Sequence, residues 1–391
     1  MSDHGCLTDV YGRVACWGSD TYDRMGVIDT LPSALLIPER FTRISAGSNH
    51  TCALNPGGEV VCWGDNGGLK SGHPSAARLS FPTVVAGAHG TQIAAGGGHT
   101  CVVDGEVKCW GSAGVLGDGT NAARADARPV TPSISNVFQL VAGNNFTCAL
   151  GVDGHIQCWG FNESGQLGNG NSSPAQAPVN NLMFGSGGEV AGSMTAGAAH
   201  ACAVRSSDNT AWCWGANGSG QLGGGTTGGS SSTPVQVLKR NPRGLPTALT
   251  GVRSVNAGGQ HTCAAMLNGT ALCWGNDAFG QLGDGTQTTI NVAVPVQRLT
   301  NAVEVLAAED FSCARRDTLA VVCWGNSARA GNGLGGSQLT PTADAIGVGE
   351  VTRISALSQH VCVEEKDHTT RCWGADGAGQ LGLLRTVNGL P

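Results

Sequence analysis

A pair of cysteines, the second always followed by Trp-Gly, returns eight times along the chain, and no cysteine stands outside the pattern. The pairs are Cys6 with Cys16, Cys52 with Cys62, Cys101 with Cys109, Cys148 with Cys158, Cys202 with Cys213, Cys263 with Cys273, Cys313 with Cys323 and Cys362 with Cys372. They number the repeat units I to VIII. Successive Cys-Trp-Gly landmarks lie 46 to 60 residues apart. A period of that size calls for one supersecondary unit per repeat, each burying its apolar face against its neighbours, and it suits a four-stranded propeller blade. Length is then a poor guide to domain number: residues 1–391 are expected to form a single propeller domain.

Each interval reads alike. Before Cys273 come "TPVQV", "VRSVNAGGQHTCAAM" and "GTALCWG", and "GQLGDG" follows. These are short β-branched runs parted by glycine turns, with no helical periodicity and no capped apolar run of helix length. Residues opposed in an antiparallel pair have positions of constant sum, so Gly57 is the midpoint of the Cys52/Cys62 hairpin and Gly105 that of Cys101/Cys109. Opposed Cα atoms lie about 4.5–5.5 Å apart, a separation that a disulfide accepts. The cysteines are therefore expected to staple the two strands of each hairpin. In unit V the two are eleven apart, and its loop or strand must take up one extra residue, for instance as a bulge. Zinc would want Cys-x-x-Cys or histidines at ligand spacing, and redox catalysis a Cys-x-x-Cys; neither pattern is present.

Sixteen paired cysteines point to an oxidising compartment, which makes the expected address extracellular, periplasmic or outer cell envelope. "MSDHGCLTDV" has no basic stretch followed by an apolar one, so the export signal that disulfides require is missing from the sequence, and both ends are expected to be cut within a repeat. No apolar run approaches the ~20 residues of a membrane-spanning helix. With 13% charged residues and a net charge of −6 there is no basic footprint for nucleic acid.

The recurring "AGxxHTCAL", "VxCWG", "NxxGQLGxG" and "PVxV" resemble the repeats of the regulator of chromosome condensation family. Gly-Gln-Leu-Gly stands intact at Gly165–Gly168, Gly220–Gly223, Gly280–Gly283 and Gly379–Gly382. The resemblance implies an all-β propeller of four-stranded antiparallel blades, most often seven in that family. Eight units are expected here; seven blades with a displaced terminal hairpin is the alternative. Unit I lacks a preceding strand of the kind that reads Ile-Ser-Ala-Gly in unit II, and only "LLRTVNGLP" follows Gly382. The paired cysteines depart from the nuclear members and are similar to the cysteine-rich versions of bacterial envelope and secreted proteins. From the nuclear members the resemblance implies guanine-nucleotide exchange on a small GTPase. Fold analogy adds inhibition of a secreted enzyme such as a β-lactamase, although only Tyr11 and Tyr22 supply tyrosine for an aromatic contact face.

Two positions before the first cysteine stand His4, His50, His99, His200, His261 and His360, with Phe146 and Phe311 in the other two copies. Phenylalanine neither binds metal nor moves protons, so the shared requirement is a planar ring that packs. The tryptophans of Cys-Trp-Gly, present in every unit, read as blade packing. The Gly-Gln-Leu-Gly glycines lack the Gly-Lys-Ser/Thr ending and helix of a phosphate loop, and Asp118, Asn169 and Asp284 beside them match no EF-hand spacing. Nothing resembles a catalytic constellation. The expectation is a non-enzymatic, monomeric scaffold without cofactor or metal that binds another protein through loops on one face; a carbohydrate target stays open. Irregularities of a repeat mark the contact candidates: Leu182, Met183 and Phe184 in one long interval, Lys239, Arg240 and Arg243 in the longest, and Trp212, which stands outside the motif.

Overall fold

The computed structural model describes residues 4–8, 14–18, 42–48, 50–75, 77–184, 188–326, 337–341, 349–357, 360–366, 370–374 and 379–380; at 4–18, 355–365 and 370–380 it describes the backbone alone. These residues form eight antiparallel sheets. Unit IV shows the plan. Val137–Ala142 is the inner strand, Phe146–Gly151 and Ile156–Gly160 are the stapled hairpin, and Ala175–Asn180 closes the outer edge. The strand that carries Pro-Val belongs to the hairpin before it: "TPVQ" lies in Ser230–Gln236, which pairs with Ala211–Ala216 of unit V and so ends that blade instead of opening unit VI.

Every hairpin takes the register that the constant sum demands, with the two cysteines of each unit directly opposed. Disulfides join Cys52–Cys62, Cys101–Cys109, Cys148–Cys158, Cys202–Cys213, Cys263–Cys273 and Cys313–Cys323, across Cα separations of 4.0–4.1 Å. The side chains of Cys6, Cys16, Cys362 and Cys372 lie outside the described residues. In unit V the register from His200–Gly215 to Val204–Ala211 runs without interruption, so the extra residue sits in the turn and no bulge forms. Bulges appear instead on the inner strands, between Val137 and Gln139 and at the matching places of units V to VIII.

Successive inner strands touch one another, from Arg43–Ala46 of unit II round to Val351–Leu357 of unit VIII. The strand His4–Thr8 of unit I lies against both His360–Glu365 and Arg43–Ala46, so the ring closes. Its partner Val14–Gly18 pairs with Gly379–Gln380, which becomes the third strand of the first sheet. Outer edges are blunted by proline, which cannot donate to an incoming strand: Pro82, Pro129, Pro178, Pro234 and Pro295 all stand in outer strands.

The core lies between blades. Trp274 of unit VI is packed with Leu222, Val237 and Leu249 of unit V, and Trp324 of unit VII with Leu282, Val296 and Leu299 of unit VI. Each of these indoles also donates its N–H to the carbonyl at the Gln position of the preceding Gly-Gln-Leu-Gly: Trp214 to Gln166, Trp274 to Gln221 and Trp324 to Gln281, at 2.8–2.9 Å. At the inner end of the strands the blades approach so closely that a Cβ on Gly96 would stand 2.5 Å from both the Gly143 carbonyl oxygen and the His99 ring.

Unit II keeps the geometry with other residues. In "GLKSG", Leu69 takes the place of the first glycine and adopts φ 66°, and the Lys70 carbonyl accepts from Trp110 at 3.0 Å. A branched side chain in the left-handed region costs about 1–2 kcal/mol. Leu69→Gly should therefore raise the unfolding free energy, by about 0.5–1 kcal/mol once the greater freedom of glycine in the unfolded chain is set against it. Urea denaturation with the disulfides intact measures this, and a loss of stability would contradict the assigned conformation.

Candidate functional site

In units II, IV, V and VI the loop after Cys-Trp-Gly is built on one buried polar side chain. Asn66, Asn162 and Asn217 accept the amide five residues on, from Ser71, Leu167 and Leu222, at 2.9–3.2 Å. Their NH₂ groups donate to loop carbonyls: Asn66 to His73, Asn162 to Asn171 and Ser173, Asn217 to Thr226. Unit VI has Asp277 in this slot, fully buried, accepting from Leu282 at 2.8 Å and from the Thr286 hydroxyl at 3.4 Å. A carboxylate has no hydrogen for the donor side of the slot. Burial, with Asp284 nearby adding negative charge, pushes its pKa up to about 7. The acids beside the Gly-Gln-Leu-Gly glycines cap turns: Asp284 accepts from the amide and hydroxyl of Thr286, and Asp118 from Thr120 and Arg124. Asn169 accepts from Asn162. Among the described residues no group of three His, Cys, Asp or Glu side chains converges as a metal site.

The expected contact residues divide. Leu182 is 59% exposed. Met183 is half-buried, and Phe184 is fully buried with its ring 6.3 Å from that of Trp214, so Phe184 is core and cannot touch a partner. The Asn181 side chain sets this turn by accepting the amides of both Met183 and Phe184. Trp212 packs on the same cluster, donates its N–H to Thr210 and carries the Arg205 guanidinium 5.4 Å above its ring. Arg205 in turn holds Asp208 and Glu189, and that bond keeps the Asp208 carboxyl far below its ordinary pKa. Trp212 is thus half-buried, with the Arg205 guanidinium over its ring.

Lys239, Arg240 and Arg243 stand on a rigid hairpin. Leu238–Arg240 pairs with Pro246–Ala248, and Lys239 meets Ala293 in a parallel contact with the outer strand of unit VI. The inserted segment leaves unit V and straps onto unit VI, extending that sheet to six strands. Its tip is fixed by Asn241, which accepts the amides of Arg243 and Leu245, and by the Arg240 guanidinium, which donates to the Gly244 carbonyl at 3.0 Å. Leu245 is 58% exposed. Lys70, Lys108, Arg124, Arg128, Arg205 and Arg315 each hold a carboxylate. The three hairpin cations hold none among the described residues.

Other exposed apolar side chains, Phe138, Val152, Leu267 and Phe279, escaped the search for irregular intervals. Val152 and Leu267 occupy hairpin tips, and the constant-sum register was enough to place them there. Val152 borders a cleft of about 420 Å³ that also involves Ile134, Asn136, Asp153, His155 and Asn180. There the Asp153 carboxylate accepts the backbone amide of His155 and faces its Nδ1 at 3.1 Å; these bonds hold the carboxyl below its usual range.

Comparison with known proteins agrees with this geometry. Residues 41–67, 139–166, 193–221 and 252–281 match one family model, and 153–204 and 208–265 a second, both described as the regulator of chromosome condensation (RCC1) repeat. Over these residues the chain carries RCC1 repeats. Its RCC1 repeats are 29% identical over 245 residues to the human E3 ubiquitin-protein ligase HERC2, covering 60% of this chain and 5% of that one. They are 27% identical over 239 residues to the ultraviolet-B receptor UVR8 of Arabidopsis thaliana, covering 58% of this chain and 50% of that one. The chain thus spans at most about half the length of these two relatives. Prp20p of Saccharomyces cerevisiae superposes with a TM-score of 0.72 at 18% identity, covering 97% of this chain and 92% of its own. Human WBSCR16 does so with 0.69 at 17%, covering 91% and 94%.

Asp277 gives a pH test of the RCC1 loop slot. A carboxyl whose folded pKa is raised contributes stability that is full below its ordinary value near 4 and is lost as pH rises through 7. The thermal midpoint should therefore gain from protonation of Asp277 on passing from pH 8 to pH 6. Asp277→Asn, which supplies the missing donor, should remove that slope and be more stable than the parent at pH 8. Differential scanning calorimetry at the two pH values decides, and identical slopes would sink the assignment.

Proposed function

We propose that the chain is a disulfide-stapled, non-enzymatic propeller working outside the reducing cytosol, which binds an acidic segment of a partner protein through the strap hairpin between units V and VI. The observation that carries the reading is the hairpin itself, pinned at its tip by Asn241 and bearing three cations that hold no carboxylate among the described residues, on a chain of net charge −6. Arginine pairs with carboxylates through two parallel hydrogen bonds, and the exposed Leu245 offers an apolar anchor beside Arg243. A phosphodiester chain has no use for that leucine and meets repulsion from the rest of the molecule. Prp20p, which shares the fold, has reported binding properties to Gsp1p and histones, and this supports a protein-binding role for the frame. The buried disulfides support the compartment.

Two measurements test the proposal. Alkylation of the folded protein without reduction, read by intact mass, should find no free thiol, and peptide mapping should join Cys6 to Cys16 and Cys362 to Cys372. Sixteen thiols in a folded sample would return the chain to a reducing compartment and make a GTPase exchange assay the next step. For the hairpin, a fluorescein-labelled dodecapeptide of glutamates with two central leucines serves as probe. Lys239→Glu/Arg240→Glu/Arg243→Glu should weaken its binding about tenfold or more, with the parent also losing affinity in high salt. Equal binding by the charge-reversed protein, or preference of the parent for heparin or duplex DNA, would overturn the acidic-peptide assignment.

A further inference from the structure

In units II to VII the ring two residues before the first cysteine is buried at the interface with the next blade, and its chemistry is matched by that unit; His50 Nε2, for example, meets the Thr100 hydroxyl at 2.7 Å. His99 Nε2 meets the Thr147 hydroxyl at 2.5 Å, His200 meets Thr262 at 2.9 Å and His261 meets Ser312 at 2.9 Å. Where the ring is Phe146, the residue of unit V at the hydroxyl position is Ala201; where it is Phe311, the residue of unit VIII is Val361. A hydroxyl therefore stands opposite the rings that hydrogen-bond, Ala201 packs with Phe146, and the sequence is again aliphatic at position 361.

The hydrogens can be assigned from the bonds. Thr262 donates to the Gln221 carbonyl and Ser312 to that of Gln281, at 2.8–2.9 Å, which spends the single hydrogen of each hydroxyl. His200 and His261 must then donate from Nε2, leaving Nδ1 as a bare lone pair. The Nδ1 atoms of His99, His200 and His261 are buried without a partner. Those of His99 and His200 lie against Gly96 and Gly197, so tightly that a Cβ on either glycine would stand within 3.0 Å of the nitrogen. In His200 and His261 a second proton has only this nitrogen to occupy, where it finds no acceptor, and at His99 and His200 the glycine crowds the same nitrogen.

We propose that acid opens the ring at the interfaces III–IV, V–VI and VI–VII, which histidine closes, while IV–V and VII–VIII, closed by phenylalanine, do not respond. Burial brings His99 and His200 down to about 4 and His261 to about 3; no charged side chain acts on the first two, and His200 is the one that acts on His261. The sign follows from linkage. Exposed histidine takes up its proton near 6.5, the closed interface refuses it, and so the closed ring loses stability as pH falls below 6.5 until the folded values are passed near 4. Asp118, Asp153 and Asp208, held low by their bonds, lose their contributions only in stronger acid, and Asp277 acts in the opposite sense.

The full chain carrying Asp277→Asn, disulfides intact, is titrated from pH 7.5 to 4 by tryptophan fluorescence, because Trp274 and Trp324 stand in two of the responding interfaces. The expected result is a reversible transition between pH 6.5 and 4. Adding His200→Phe with Thr262→Ala, a copy of the Phe146–Ala201 pairing, should lower its midpoint by about half a pH unit or more. No transition above pH 4, or an unchanged midpoint in the folded double substitution, overturns the proposal. Should that variant fail to fold, hydrogen exchange of the parent at pH 5 decides. Protection lost first in His261–Met266, flanked by two histidine interfaces, supports the mechanism, and uniform loss refutes it.

Discussion

The carbonyl at the Gln position of Gly-Gln-Leu-Gly is the joint on which the ring depends. In units V and VI it accepts two hydrogen bonds from the next blade, one from the tryptophan of Cys-Trp-Gly and one from the hydroxyl that the histidine also touches. One acceptor thereby fixes an indole, a hydroxyl and an imidazole of the neighbouring interface. In a dry setting each such bond is strong and each vacancy costly. The geometry of the loop that presents the carbonyl matters more than its side chain, which is why Lys70 serves in unit II where Gln serves in units IV, V and VI.

Much of the frame could be read from the sequence because a repeat tests itself. The cysteine register followed from arithmetic on positions, and the planar-ring requirement from Phe146 and Phe311 standing in for histidine. The pairing of ring with hydroxyl was equally legible, by comparing position 146 with 201 and 311 with 361, but it becomes visible only once the partner of each ring is known to lie one unit ahead. Sequence spacing does not reveal that offset, since the contacting residues are about 50 apart and joined by packing alone.

The contact candidates were less legible. An insertion announces extra chain but not its destination, and the two long intervals went to opposite fates. "NNLMF" turns inward under the control of Asn181 and buries Phe184 between blades, whereas "LKRNPRGLP" leaves its blade and pairs with the next one. Composition separates them only in part: an aromatic residue near a glycine-rich turn serves as anchor or as plug according to whether a hole lies beneath it. Asp277 shows the converse, a residue unremarkable among turn acids that burial and its Asn-lined counterparts single out.

Every described disulfide joins neighbours on one hairpin, and none crosses from blade to blade. Each closes a loop of about ten residues, worth roughly 3 kcal/mol in the chain-entropy model. Among the described residues the covalent map is therefore a row of small independent clasps along a thread, with no sulfur bond fastening one blade to the next. Such a molecule can come apart between clasps and reassemble with every sulfur still holding its original partner, so that thiol chemistry is needed once, at maturation, and never again for opening or closing.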